Sequence, residues 1–271
     1  MTLTVLPGTT VVALLTTLDD IANKLNTARS GGKFDVFTQY LRWANEAGVR
    51  LSQMVVPRDV TMLVLTQRHW AIQGIDPAAN EALMSLLQGE IDERVRAFAA
   101  VQVDMRTQVE RWQAHGGKLV IADTNVYLHH GDIFDEADWG AVVHADDSDE
   151  IEFVVPLIVV DELDHAKRGK AQTRTRARIT LRAMEEMFQD PRRPAALGTI
   201  GSRDRIRAHL LLDDALHVRL SHADSELVDR CRALADIAGR PVTLVTSDTG
   251  MALRARAAGL TVAKIDTPDP A

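Results

Sequence analysis

The sequence predicts a two-part α/β protein: a mostly parallel sheet covered by helices over residues 117–271, preceded by a mainly α-helical region over 1–116. Three observations carry this. From residue 117 onward, apolar runs of strand length alternate with helical patterns, which marks a parallel sheet buried under helices. The first run, Lys118-Leu119-Val120-Ile121-Ala122, follows Gly116-Gly117 and stops at Asp123-Thr124-Asn125. That is how a buried parallel strand delivers a carboxylate to the edge where open α/β sheets bind ligands. Upstream of 117, by contrast, the apolar residues recur at helical spacing.

In the first region, residues 11–29 place Val12, Leu15, Leu18, Ile21 and Leu25 three and four apart, and Gly31-Gly32 ends that helix. A second helix is expected over 34–47 through Phe37, Leu41 and Ala44, with Gly48 as its C-cap. The β-branched stretch 60–66 reads as a short strand continuing toward Trp70 and Ile72. Residues 80–113 form a long helix whose stripe of Leu83, Leu87, Ile91, Val95, Phe98, Met105, Val109 and Trp112 is a packing face. This region is expected to serve as an oligomerisation module or a substrate arm.

In the second region the strand at Asp123 is followed by an acidic stretch, 132–152, with nine Asp/Glu and no Lys or Arg, read as a solvated loop. Glu152-Phe153-Val154-Val155 is a second strand, and Pro156 fits the first turn of the helix after it. Residues 165–182 hold seven Lys/Arg and no acid, leading into a helix over 174–188 that Pro191 stops. The stretch 190–220 reads as a connection with one short strand near 217–220. Ser221-His222-Ala223-Asp224 resembles a capping box for a helix running to Ala238 and closed by Gly239. A strand over 242–246, a helix over 251–258 capped by Gly259, a strand over 260–265 and a loose tail from Thr267 complete the chain.

Composition limits the function. With 271 residues, 46% hydrophobic and 25% charged, the chain has ample core. Net charge is −7, so nucleic-acid binding requires a local basic patch. A single cysteine, Cys231, excludes an internal disulfide and a Cys-rich zinc site and suits a cytoplasmic protein. No apolar run approaches the ~18 residues of a membrane span. No H-E-x-x-H and no G-x-x-x-x-G-K-[ST] motif is present.

Four carboxylates fall at element joints: Asp123, Glu162, Asp224 and Asp248. If the strands are parallel, all four reach one cleft, where mutual repulsion would raise their pKa values. A hard divalent cation, Mg²⁺ or Mn²⁺, relieves that conflict because it prefers carboxylate oxygen and water. Together, Asp123-Thr124-Asn125, Val155-Pro156 with Val160-Asp161-Glu162-Leu163-Asp164, Ala223-Asp224-Ser225-Glu226-Leu227 and Val245-Thr246-Ser247-Asp248 resemble the PIN domain over about 117–266. The similarity is closest to PIN domains joined to PhoH-type ATPases and more distant to VapC-type toxins. It implies an α/β/α sandwich and a Mg²⁺- or Mn²⁺-dependent ribonuclease. By position, it implies that Asp123, Glu162, Asp224 and Asp248 are the catalytic, metal-binding acids, with Asn125 and Ser247 as supporting polar neighbours. The long 190–220 connection departs from compact toxin-like members.

Lys167, Arg168, Lys170, Arg174, Arg176 and Arg178 are the RNA-binding candidates, since they alone offer clustered partners for phosphates. The leading expectation is an endoribonuclease for single-stranded RNA. The alternative is a catalytically weak PIN module that binds RNA or a protein, using 1–116 for assembly. A haloacid dehalogenase-type phosphatase ranks last, because its chemistry requires Asp-x-Asp and position 125 is Asn.

Overall fold

A computed structural model describes residues 3–6, 8–198, 205–213 and 217–266. The chain divides into two compact units, Met1–Trp112 and Gln113–Ala271.

The first unit is helical: α1 (Val11–Thr27), α2 (Lys33–Ser52), α3 (Pro57–Leu63), α4 (Gln67–Gln73) and α5 (Leu83–Gln113), the last ending at the unit's edge. The stripe on α5 is buried at Leu83, Leu87, Ile91, Phe98, Met105 and Trp112, packing as its spacing requires. Two expectations fail here. The stretch 60–66 is the end of α3 and a turn into α4, not a strand. Pro57 sits in the first turn of α3, and the Thr66 hydroxyl caps α4 by accepting from His69 N at 3.1 Å. Both local devices outweigh the strand propensity of the β-branched residues. Gly48 is not a C-cap, since α2 runs on to Ser52. A Cβ there would meet the Leu65 side chain at 3.6 Å, an ordinary packing contact.

The second unit is an α/β fold around a six-stranded sheet, in the order β3-β4-β2-β1-β5-β6. The strands are β1 (Lys118–Ala122), β2 (Ile151–Pro156), β3 (Ala195–Ala196), β4 (Ile206–Leu211), β5 (Val242–Thr246) and β6 (Thr261–Lys264). All neighbours pair in parallel except β3 with β4. The helices are α6 (Thr124–His129), α7 (Trp139–Val142), α8 (Leu157–Ala166), α9 (Ala171–Met187), α10 (Ala223–Ala238) and α11 (Thr249–Ala257). The four carboxy-terminal residues of β1 and all six of β2 are buried, as befits strands covered on both faces. An aromatic cluster of Tyr127, Phe134, Trp139 and Phe153 fills one end of the core, with Trp139 and Phe153 centroids 4.4 Å apart.

Several details differ from expectation. Pro156 closes β2 and is the N-cap of α8, one residue before the helix. Residues 217–220 form no strand; the connection instead carries β3 and β4. The N-cap of α10 is His222, without a side-chain cap bond, so the expected capping box does not form. The tail from Thr267 lies outside the described residues.

The strand order fixes where a site can be. The chain leaves β1 toward β2 and β4 on one side, then returns to the other side of β1 as β5. The carboxyl ends of β1 and β5 therefore bound the crevice where strand order reverses, the usual ligand position in such sheets.

Candidate metal centre at the β1–β5 switch

Asp123 follows the last residue of β1 and is the N-cap of α6; it is 4% exposed. Its amide donates to Val245 O on β5 at 2.9 Å, which extends the β1–β5 ladder to the acid itself. Its Oδ2 accepts from the buried Thr246 hydroxyl at 2.9 Å. The Asp248 amide donates to the same Thr246 Oγ1 at 3.0 Å. One hydroxyl thus joins the acids at the ends of β1 and β5. Asp248 in turn caps α11, its Oδ1 accepting from Met251 N at 2.7 Å.

Glu162 lies on α8, and its Oε2 accepts from the Thr124 hydroxyl at 2.6 Å, tying it to the residue after Asp123. Asp224 stands in the first turn of α10, half exposed, and pairs with Arg254 Nη1 at 2.8 Å. Burial pushes the Asp123 carboxyl above the usual range, the Thr246 hydroxyl opposes it, and the charge of Glu162 adds to the rise. The Asn125 amide lowers it and the Asp224 charge raises it further. Two of the other three acids therefore act electrostatically on the buried one. Asn125 is exposed and Ser247 half-buried; among the described residues neither side chain has a hydrogen-bond partner.

The donor set suits a hard divalent ion: carboxylate oxygens with no cysteine, and one buried acid lacking a basic partner. Among the described residues, the one ion pair made by these four acids is that of Asp224 with Arg254. No three of them bring their oxygens within 4.8 Å of one another. The side chain that sequence reasoning missed is Thr246, whose signal was a hydroxyl residue at a strand end beside an acid.

Among the described residues a different group does meet that 4.8 Å spacing, Asp213, His217 and Glu226. Glu226 is fully buried on α10, accepting from His217 Nε2 at 2.6 Å and from Leu220 N at 2.8 Å. Arg219 pairs with Asp213 at 2.7 Å and also with Asp161. These contacts tie Asp213, His217, Arg219 and Leu220 to α8 and α10. Cys231 is buried on α10 with its thiol pushed upward by burial, which suits packing and not nucleophilic attack.

Of the basic candidates, Arg168, Lys170, Arg174 and Arg178 are exposed and, among the described residues, form no ion pair. Lys167 pairs with Asp164 at 2.5 Å. Arg176 is half-buried and donates to the carbonyls of Tyr127, His130, Gly131 and Asp132, so its guanidinium holds the turn after α6.

A mostly parallel α/β sheet with the buried Asp123 at its switch point defines an α/β-class protein whose ligands are expected at that edge. The family model of the PIN domain matches residues 120–266, more than half of the chain, and the chain belongs to that family. PIN domains are generally metal-dependent nucleases. No match is found among curated proteins.

Proposed function

We propose that the protein is a metal-dependent endoribonuclease that cleaves single-stranded RNA, with Asp123, Glu162, Asp224 and Asp248 holding Mg²⁺ or Mn²⁺. The observation that carries this is the Thr246 hydroxyl joining Asp123 to Asp248 at the β1–β5 switch, with the charges of Glu162 and Asp224 acting on Asp123. When bound, the ion supplies charge stabilisation at the phosphodiester and activation of water. The chain's own part is positional. Thr246 and Thr124 orient Asp123 and Glu162, α11 fixes Asp248 through its cap, and Asn125 and Ser247 offer free polar groups to the substrate. Arg168, Lys170, Arg174 and Arg178, with Lys167, form a basic face leading away from the Glu162 helix, placed to track a phosphate backbone. A splayed single strand presents its backbone to such an edge more readily than an A-form helix does. The nuclease portion is residues 117–271, and 1–116 serve assembly or substrate capture. Among the described residues no helix is long and apolar enough to cross a membrane, and the lone buried Cys231 fits a cytoplasmic setting.

A second reading, a catalytically weak module that binds RNA or a protein, is favoured by two observations: Asp224 is held by Arg254, and no three of the four acids bring their oxygens within 4.8 Å of one another. Cleavage of a mixed pool of labelled single-stranded RNAs separates the two. It is run with Mg²⁺, Mn²⁺ or EDTA, beside a folded Asp123→Asn/Asp248→Asn variant. Metal-dependent cleavage lost in the variant supports the nuclease; RNA binding without cleavage under either metal supports the module.

A further inference from the structure

We propose that Arg254 is a tethered counter-cation that competes with the divalent ion for Asp224 and, once displaced, becomes a phosphate anchor for the substrate. This deepens the nuclease reading and rests on its assignment of Asp224 to the metal.

The argument starts from α11. Asp248 is its N-cap and Arg254 lies six residues on, in the last turn of the helix. Both side chains pass close to Gly250. A Cβ at that position would lie 3.0 Å from Asp248 Oδ1 and 3.5 Å from Arg254 Nη1, so the glycine leaves room for carboxylate and guanidinium together. From there Nη1 reaches across to Asp224 Oδ2 on α10 at 2.8 Å. The arginine therefore links the helix that Asp248 caps to the acid on α10.

Taken alone, an ion pair exposed by half on both sides contributes little to stability. Its meaning comes from which acid it holds. Asp224 is one of the four acids assigned to the metal, so Arg254 already occupies a carboxylate that the divalent ion would use. A divalent ion at the same carboxylate and a guanidinium 2.8 Å from it repel each other, so each binds at the expense of the other. The exchange is favourable for geometric reasons. Arg254 is about half exposed, so its release requires no repacking. Its planar fork, anchored on a helix beside Asp248, matches two phosphate oxygens as well as it matches a carboxylate. Substrate would then compensate the freed guanidinium, so that metal and RNA binding reinforce each other.

The test uses the full chain and Mn²⁺ as the probe, with affinity read by isothermal titration and by the loss of free-ion electron paramagnetic resonance signal, without RNA. Arg254→Met keeps the apolar stem and removes the charge. It is expected to bind Mn²⁺ about fivefold more tightly than wild type, the scale of an exposed ion pair. In the same variant at saturating Mn²⁺, KM for single-stranded RNA is expected to rise about tenfold, as for loss of a charge-assisted contact. Arg254→Lys should retain the competition and recover only part of KM, and Arg254→Met should change nothing further in an Asp224→Asn background. A merely structural arginine would leave Mn²⁺ affinity unchanged or weaker, and either result overturns the inference. If wild type cleaves no RNA while Mn²⁺ binding still tightens in Arg254→Met, the nuclease reading fails and the competition stands. If cleavage is intact and Mn²⁺ affinity does not move, the inference fails and the nuclease stands.

Discussion

Removing the Thr246 hydroxyl tests the central contact of the site, and its effect can be worked out from the structure. Thr246→Val keeps the shape of a fully buried side chain but deletes the 2.9 Å donation to Asp123 and the acceptor of the Asp248 amide. A hydrogen bond to a charged group contributes about 1.5–3 kcal/mol, so the variant should lose about 2 kcal/mol. For a domain of this size that is a fall in Tm of about 4–8 °C. The loss should depend on pH. The folded pKa of Asp123 lies above its unfolded value of about 3.9. Its contribution to stability is therefore greatest below that value and declines as pH rises through the folded pKa. The hydroxyl opposes the decline because it favours the ionised acid. The deficit of Thr246→Val should accordingly be small in acid, grow with pH and level off once Asp123 is ionised. Urea unfolding in EDTA from pH 4 to 8, followed by circular dichroism, measures this. Thr246→Ser is the control: it keeps the hydroxyl, loses a methyl group at about 1 kcal/mol and should show no pH trend. A deficit in Thr246→Val that is flat with pH and below about 0.5 kcal/mol, at the weak end for any hydrogen bond, would refute the linkage.

Three further outcomes follow from the same geometry. In EDTA at neutral pH, Asp123→Asn should be at least as stable as wild type, because the amide keeps an acceptor for Thr246 and removes a buried charge; a clear fall in Tm contradicts this. Glu226→Ala leaves His217 Nε2 and the Leu220 amide without their acceptor, at a cost of about 2–4 kcal/mol, and hydrogen exchange at Leu220 should accelerate selectively. The buried Glu152 on β2 is resisted by desolvation but held below the usual range overall by His209 and Arg207, the latter at 2.9 Å. Its contribution is present above the unfolded value of about 4.3 and is lost as pH falls through its folded pKa, so Glu152→Gln should flatten the acid limb of the stability curve.

How much of this was legible in the sequence depends on whether a residue's role is set by its own segment or by a partner elsewhere. β1, β2 and β5 were readable because strands buried on both faces must be continuously apolar, and an acid at the end of such a run stands out. The positions of Asp123 and Asp248 follow from that pattern alone. β4 was hidden because Arg207 and His209 make it look like surface. It is interior because the register pairs Glu152 with Arg207, and the glutamate supplies both basic residues with a partner. The stretch 60–66 failed for the opposite reason: strong strand propensity was overruled by the Pro57 start and the Thr66 cap, each a single-residue device. Thr246 and Arg254 belong with β4. A threonine at a strand end and an arginine in a last helical turn are ordinary in isolation. The parallel pairing of Ala122 with Val245 brings the hydroxyl to Asp123, and the neighbouring α10 brings Asp224 to the guanidinium. The motifs thus name the acids, while the groups that orient and neutralise them exist only as pairs across the fold. Those pairs decide whether four carboxylates form a site or merely share an edge.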